Sequence, residues 1–390
     1  MKIAVIGAKG LPPKQGGIEH YCAEVYPRIV AKGHSVDLFA RSSTTDSSPF
    51  SEYDYEGVRV ISLPCPSGKG LDAFFSSMLG AMMSVGNRYD IVHFHALGPS
   101  LFTWIPKLSL STKVVVTCQG LDWQRNKWGK LSSNLILQGE KAAVRFADGL
   151  IVVSEELRSY FRQTYGKQSV YIPNAAATYG ASDPTFAYGK SLGLTAGRYV
   201  LFLGRLVPEK CPDLLIEAFK KLKPAGWKLV LAGGVSDTKE FTAQMLQQVA
   251  DDPDIIFAGE LRGARLWEIV RGSGLFALPS DLEGLPLAML EAMSQAIPVL
   301  ASDIPPHQQL VSTNRGVMFR AGNIDSLVQQ MDWAIQHPQE MKQMAENAQR
   351  NVQVNYSWEK ITADNLSLYE NLLSSPGQRA GGKLVTTKLS

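Results

Sequence analysis

The sequence predicts an α/β protein made of two doubly wound, parallel-sheet domains that face one another. Three observations carry that expectation. The chain has 390 residues, more than one ordinary core accommodates. Short β-branched runs, apolar on both faces, alternate with longer amphipathic stretches, as strands buried between two helical layers require. The alternation lapses once, after Asn174, and then restarts, so two units share an architecture without a repeat in sequence.

In the first unit the strand runs are KIAVIG from Lys2, VDLFA from Val36, VRVISL from Val58, IVHFH from Ile91, KVVVTC from Lys113, LIVVS from Leu150 and VYIPN from Val170. An amphipathic stretch over 19–32 stops at Gly33. Residues 74–85 are apolar but too short to span a bilayer, and read as a buried helix. The segment AAATYGASDPTFAYGKSLGLTAG, 175–197, is rich in small residues, Gly and Pro, as a domain linker should be. Strand runs resume as YVLFLG from Tyr199, KLVLAG from Lys228, IIFAG from Ile255, LFALPS from Leu275, IPVLAS from Ile297 and GVMF from Gly316. A helical pattern over 324–354 follows, then another over 358–373. The expected division is thus 1–174, a linker 175–197, a second domain 198–355, a terminal helix 356–373, and a polar tail 374–390 that frays.

Hydrophobic residues make up 45% and charged residues 19%, with a net charge of +3, a balance that gives no reason to expect nucleic acid as a partner. Cys22, Cys65, Cys118 and Cys211 are widely separated, with no CxxC pair, and read as reduced thiols of a cytoplasmic protein. The N-terminus reads as a first strand and not as a signal peptide. Arg125, Lys127 and Lys130 cluster around Trp123 and Trp128; this run, 123–130, reads as an exposed loop or as a contact for an acceptor or the inner face of an anionic membrane.

In a doubly wound sheet ligands collect beyond the carboxyl ends of the strands, so side chains at strand exits carry the functional reading. The strongest constellation is Glu283-Gly284-Leu285-Pro286-Leu287, continuing through Ala, Met and Leu to Glu291, between the run LFALPS and a helix. On one continuous helix the two carboxylates would lie about 12 Å apart. With Glu283 in the loop they can hold two ends of one elongated ligand, and free amides over 284–287 point at an anion between them. Carboxylates of this kind bind ribose diols in nucleotide-binding α/β folds. Directly after YVLFLG, Gly204 and Arg205 precede Lys210, and two cations around a strand-to-helix turn can grip a diphosphate and stabilise it as a leaving group; the alternative is a surface ion pair of Lys210 with Glu209. Gly16 and Gly17 precede the first long helix and permit close backbone approach to a phosphate or sugar. His93 and His95 share one face of their strand, and His95 is nearer the exit. Asp252 and Asp254 spell a DxD in an acidic loop without further ligands, and His93, His95 and Cys118 lack a fourth ligand, so no metal is expected.

These motifs resemble those of the family-four glycosyltransferases, which have the GT-B architecture of two facing Rossmann-like domains. The resemblance rests on E-x7-E at Glu283 and Glu291, G-R-x-x-x-x-K at Gly204, Arg205 and Lys210, the glycines Gly16 and Gly17, and the H-x-H ending in His95. The stretch TCQGLDWQRNKWG is similar to a segment of bacterial members that build exopolysaccharide or other surface glycans. The resemblance implies a retaining, metal-independent transferase using a nucleoside-diphosphate sugar and a glycan or lipid-linked acceptor, with no cofactor. It places Arg205 and Lys210 on the diphosphate, Glu291 on the donor ribose, Glu283 on the sugar hydroxyls, Gly17 near the phosphates and His95 near the reacting sugar. The sequence departs from the family at Gln119, where many relatives have histidine in T-x-H-G, and at Pro286 and Leu287, where other residues are common. The rival readings are a nucleotide-sugar epimerase or hydrolase of the same fold and a non-catalytic carbohydrate- or nucleotide-binding protein. A dinucleotide oxidoreductase is disfavoured, because Gly7, Gly10 and Gly17 do not fit GxGxxG.

Overall fold

A computed structural model describes residues 1–374 except 14–16, 46, 67–69, 125–128, 235–238, 250–251 and 312–313. Gly16, Arg125, Lys127, Trp128 and the tail beyond Ser374 therefore lie outside the described residues. The first sheet comprises β1 (Lys2–Ile6), β2 (Ser35–Arg41), β3 (Glu52–Tyr55), β4 (Val58–Leu63), β5 (Ile91–His95), β6 (Lys113–Cys118), β7 (Gly149–Val152) and β8 (Val170–Tyr171). The second comprises β9 (Tyr199–Leu203), β10 (Lys228–Ala232), β11 (Ile255–Gly259), β12 (Leu275–Leu278), β13 (Val299–Ser302) and β14 (Val317–Phe319). With the first sheet go α1 (Gly17–Ala31), α2 (Leu71–Gly86), α3 (Lys130–Phe146) and α4 (Glu155–Tyr165). After the short α5 (Ala187–Ser191) come α6 (Pro212–Leu222), α7 (Lys239–Val249), α8 (Gly263–Arg271), α9 (Leu287–Ser294), α10 (Pro305–Val311), α11 (Ile324–Gln336), α12 (Pro338–Asn355) and α13 (Trp358–Ser374).

The strand orders are β3-β4-β2-β1-β5-β6-β7-β8 and β11-β10-β9-β12-β13-β14. Every pairing is parallel except that of β3, which turns back on β4. Along β1, Ile3 and Val5 enter a core closed by Tyr21 and Val25 of α1 and Ile361 of α13. Ala4 and Ile6 enter a second core, closed by Ala81 of α2, Ala143 of α3 and Phe161 of α4. The alternation of strand side chains thus feeds two helical layers, and the fold is the α/β architecture expected. Chain order reverses between β1 and β5 and again between β9 and β12, and each reversal opens a crevice at the carboxyl edge.

Three local details differ from the sequence reading. EYDY forms an edge strand, β3, which its polar composition hid. The helical pattern over 324–354 is two helices, because Pro338 cannot continue α11; His337 instead bonds the Trp333 carbonyl through Nδ1 at 2.7 Å. The helix over 74–85 packs on the core as its apolar composition suggests, but its innermost residues are small. α2 buries Ser76, Ser77, Gly80, Ala81 and Ser84 against the sheet and leaves Leu71, Phe75 and Met82 exposed. Small residues win the inner face because the helix sits close: a β-carbon on Gly80 would lie 3.2 Å from Phe39.

The packing is also close at Gly139 of α3, where a β-carbon would fall 1.9 Å from the Leu97 carbonyl oxygen. Backbone cannot yield as a flexible side chain can. Gly139→Ala is expected to destabilise the protein by about 1–3 kcal/mol, read as a lowered urea midpoint at unchanged slope.

Candidate active site

The reversal between β9 and β12 brings together the loops that follow these two strands. Gly204 to Lys210 leave β9, and Ser280 to Pro286 leave β12 before α9 begins at Leu287. Lys210 Nζ lies 2.6 Å from Glu283 Oε1, with side chains only 16% and 10% exposed. The partner of Lys210 is therefore Glu283 and not the neighbouring Glu209. Ser280 Oγ donates to the same oxygen at 2.8 Å. Burial pushes the Glu283 carboxyl upward, but the Lys210 ammonium, the nearby His307 and the Ser280 hydroxyl together hold it below the usual carboxylate range. Behind Ser280, Ser302 Oγ donates to its carbonyl, and His307 Nδ1 lies 3.0 Å from the Ser302 carbonyl oxygen. His307 is fully buried, burial lowers its pKa to about 4, and its Nε2 meets no partner among the described residues. Arg205 is exposed at the exit of β9.

Glu291 lies farther along α9 and is half-buried. Its Oε2 accepts from the Tyr179 hydroxyl at 2.9 Å, and the Ala177 backbone amide is a further donor. Burial raises its pKa to about 7, outweighing both hydrogen bonds. Because the folded-state value is raised, this carboxyl detracts from the stability of the unliganded protein as pH rises from about 4.5 through 7.

Across the cleft, Gly17 opens α1, and a β-carbon on it would be 3.2 Å from Leu287 Cδ1. A β-carbon on Gly284 would be 2.6 Å from the Gln119 carbonyl oxygen, so the two domains meet backbone to backbone at that point. Leu285 packs against both the first and the second domain's cores. The Gln119 side chain accepts from Asn174 Nδ2 at 2.7 Å. Between the domains lies a cavity of ≈240 Å³. Its first wall includes Gly120, Gln124, Ser154, Glu156 and Tyr160; its second presents Arg205, Lys210, Glu283 and Gly284. Tyr160 is held by a buried carboxylate, Glu140, which also accepts from Tyr165 and from the Trp123 indole.

His95 is not on this cavity. It is fully buried, with the Tyr26 hydroxyl 2.7 Å from Nε2 and its ring stacked on His93 at 4.3 Å. His93 in turn meets Tyr369 of α13 at 2.6 Å and Thr117 at 2.7 Å. Burial drives the His95 pKa down to about 3, so the ring is neutral and the pair joins α1, α13 and the sheet. Asp252 and Asp254 sit before β11, at the opposite edge of the sheet from the cleft, where Asp252 accepts the Asp254 amide. His307, Ser280, Glu140 and Tyr179 were not picked out from sequence. Of these only Tyr179, an aromatic residue in a linker of small residues, leaves a visible mark there.

Two cations and two carboxylates at the switch point of one doubly wound domain, facing a second such domain across a cleft, define a nucleotide-sugar glycosyltransferase of GT-B type. The comparisons with known proteins agree. The model for "Glycosyl transferases group 1" matches residues 190–351, and that for "Glycosyl transferase 4-like domain" matches 16–175. The chain belongs to the family-four glycosyltransferases. It is 26% identical to D-inositol 3-phosphate glycosyltransferase of Gordonia bronchialis, covering 92% of this chain and 85% of that one. It is 23% identical to an uncharacterised glycosyltransferase of Methanocaldococcus jannaschii, over 97% of this chain and 100% of the other. Among solved structures, sucrose-phosphate synthase from Thermosynechococcus elongatus superposes with a TM-score of 0.81 at 20% identity, covering 96% of this chain and 99% of that one. Anabaena HepE in complex with UDP and glucose gives 0.76 at 18% identity, covering 95% and 100%.

Lys210→Met is expected to strand Glu283 without its counter-charge, at a cost of about 3–5 kcal/mol. In the native protein the depressed pKa of Glu283 contributes stability that is present above about pH 4.5. In the variant the carboxyl takes a raised pKa and detracts as pH rises. Urea unfolding should therefore show a gap between the two proteins that widens from pH 5 to pH 8.

Proposed function

We propose that the chain transfers a sugar from a nucleoside diphosphate to a hydroxyl of a glycan or lipid-linked acceptor in surface-glycan synthesis, with retention at the anomeric carbon and without a divalent metal. The observation that carries this reading is the convergence of Arg205, Lys210 and Glu283 on one interdomain cavity, with Glu291 farther along the adjoining helix. Residues 198–355 form the donor side and 1–174 the acceptor side. Arg205 and Lys210 bind the diphosphate, the backbone over 284–287 supplies amides to it, and Glu283 takes hydroxyls of the sugar. Glu291 takes the ribose diol. As the bond from the anomeric carbon to the phosphate oxygen breaks, the cations stabilise the departing diphosphate. The acceptor oxygen bonds to the same face, and its proton passes to the leaving phosphate. His95, buried and neutral, contributes to this through the framework around the cleft.

Gln124, Ser154, Glu156 and Tyr160 face the cavity from the first domain and can hydrogen-bond a hydroxyl-bearing acceptor. Contact with a membrane surface is supported by the outward apolar residues Leu71, Phe75 and Met82 of α2, beside the exposed Trp104, Leu108 and Leu110. No described helix is long and apolar enough to cross a membrane.

Three measurements test these assignments. Thermal unfolding in EDTA with UDP, GDP, dTDP and ADP should show one nucleotide raising the midpoint; a ligand at a hundred times its Kd adds about 2.7 kcal/mol. That affinity should increase with pH through about 7, because the ribose hydroxyls donate to an ionised Glu291. Glu291→Ala should abolish the stabilisation, Lys210→Ala should cut turnover by about 10²-fold or more, and unchanged behaviour in both would sink the assignment. For the membrane contact, the protein should sediment with phosphatidylglycerol-containing vesicles, and Met82→Glu combined with Trp104→Glu should leave it in the supernatant. Equal sedimentation of the variant would remove the apolar face from the account.

A further inference from the structure

The linker beyond Asn174 passes between two fixed points. On one side the Trp358 indole, at the start of α13, donates to the Ala176 carbonyl at 3.1 Å. On the other, the next residue gives its amide to Glu291, and two residues later the Tyr179 hydroxyl donates to the same carboxylate. Tyr179 is itself seated. Its ring lies 6.1 Å from that of Trp267, and Gly180 is pressed so close to Trp267 that a β-carbon would fall 2.5 Å from Cζ3. Arg271 bonds the Gly180 carbonyl and Ser182 Oγ at 2.8 and 2.9 Å, and its guanidinium lies 5.9 Å from the centre of the Tyr179 ring. A tyrosine held on three sides keeps its hydroxyl in one place.

We propose that Tyr179 is a positioning residue of the nucleotide site, its hydroxyl fixing the Glu291 carboxylate in the ionised state and orientation that accept a ribose diol. The inference rests on the assignment of Glu291 to the ribose. A carboxylate oxygen has two lone pairs, so Tyr179 and a ribose hydroxyl can share the group. Without Tyr179 the half-buried carboxyl would keep one protein donor, the Ala177 amide, and burial would favour its protonated form. A protonated carboxyl cannot accept from both ribose hydroxyls as well as an ionised one. The groups facing Glu291 are few. Tyr179 and Ala177 reach it from the linker, and Arg271 of α8 lies near Tyr179. β12, β13 and α12, which also pack on α9, contribute apolar core residues and the neutral Gln349, which bonds the Ser294 carbonyl. The same contacts tie the nucleotide site to the segment joining the domains, since Ala176 and Ala177 are adjacent links between α13 and Glu291.

The test is calorimetric titration of the full chain with UDP, GDP, dTDP and ADP in turn, from about pH 6 to pH 9, for wild type, Tyr179→Phe and Glu291→Ala. Tyr179→Phe should melt within a few degrees of wild type. It should bind the preferred nucleotide about fivefold more weakly near pH 7, as a tenfold loss of Glu291 acidity from a pKa of about 7 implies. The deficit should shrink to well within twofold near pH 9, where Glu291 is ionised in both proteins. A deficit of the same size at every pH would show that Tyr179 merely shapes the fold, and no deficit would show that it does not act on Glu291; either overturns the proposal. Glu291→Ala binding as tightly as wild type would instead remove the ribose assignment, an outcome distinguishable from both.

Discussion

The arrangement of the cleft depends on an ion pair that the protein has taken largely out of water. Desolvating Lys210 and Glu283 costs several kcal/mol for each ion, and their mutual attraction offsets this only with good geometry and further hydrogen bonds. The second domain supplies both. Ser280 completes the shell of Glu283, Ser302 fixes the Ser280 carbonyl, and His307 braces Ser302. These residues come from the exits of neighbouring strands β12 and β13 and from α10, which only the parallel sheet brings side by side. The reversal between β9 and β12 thus sets the position of the charge, and the sheet edge sets its rigidity. On the proposed reading, an incoming diphosphate competes with Glu283 for a lysine already aimed at the reaction centre.

The second constraint is how closely the domains approach. Gly284 meets the Gln119 carbonyl with no room for a β-carbon, and Gly17 packs closely on the Leu287 side chain. The cavity between them measures ≈240 Å³ and is partly open to solvent. The segments that pass between the domains are tied by specific bonds, Asn174 to Gln119 and Trp358 to Ala176, and α13 packs on α1.

Much of this was legible in the sequence, and the misses share a physical cause. Parallel strands buried on both faces announce themselves as continuous apolar runs, so the sheets could be read. The spacing of Glu283 and Glu291, and of Arg205 and Lys210, placed all four near a strand exit because helix starts follow strand ends by short loops. Pairing across the sheet was not legible: the proximity of Lys210 and Glu283 depends on β9 and β12 being neighbours, whereas spacing alone offered Glu209. Composition likewise left the inner face of α2 unread, where a close approach to the sheet puts serine and glycine innermost and leaves Phe75 and Met82 exposed. Ser280, His307 and Tyr179 carry no local motif; each becomes informative only through a contact distant in sequence.

The two strand reversals show how similar architecture is put to different use. At the first, His93 and His95 occupy strand positions that point to one face, and α1 and α13 bring Tyr26 and Tyr369 over them. The cluster is apolar enough to hold both rings neutral, and it fastens α13 to the first sheet. At the second, the exits of β9 and β12 carry Arg205, Lys210 and Glu283 on the cavity, and that charge gives a ligand something to displace. The tyrosines of α1 enclose His95 and Tyr369 of α13 holds His93, while the loop after β12 keeps Glu283 at the cavity.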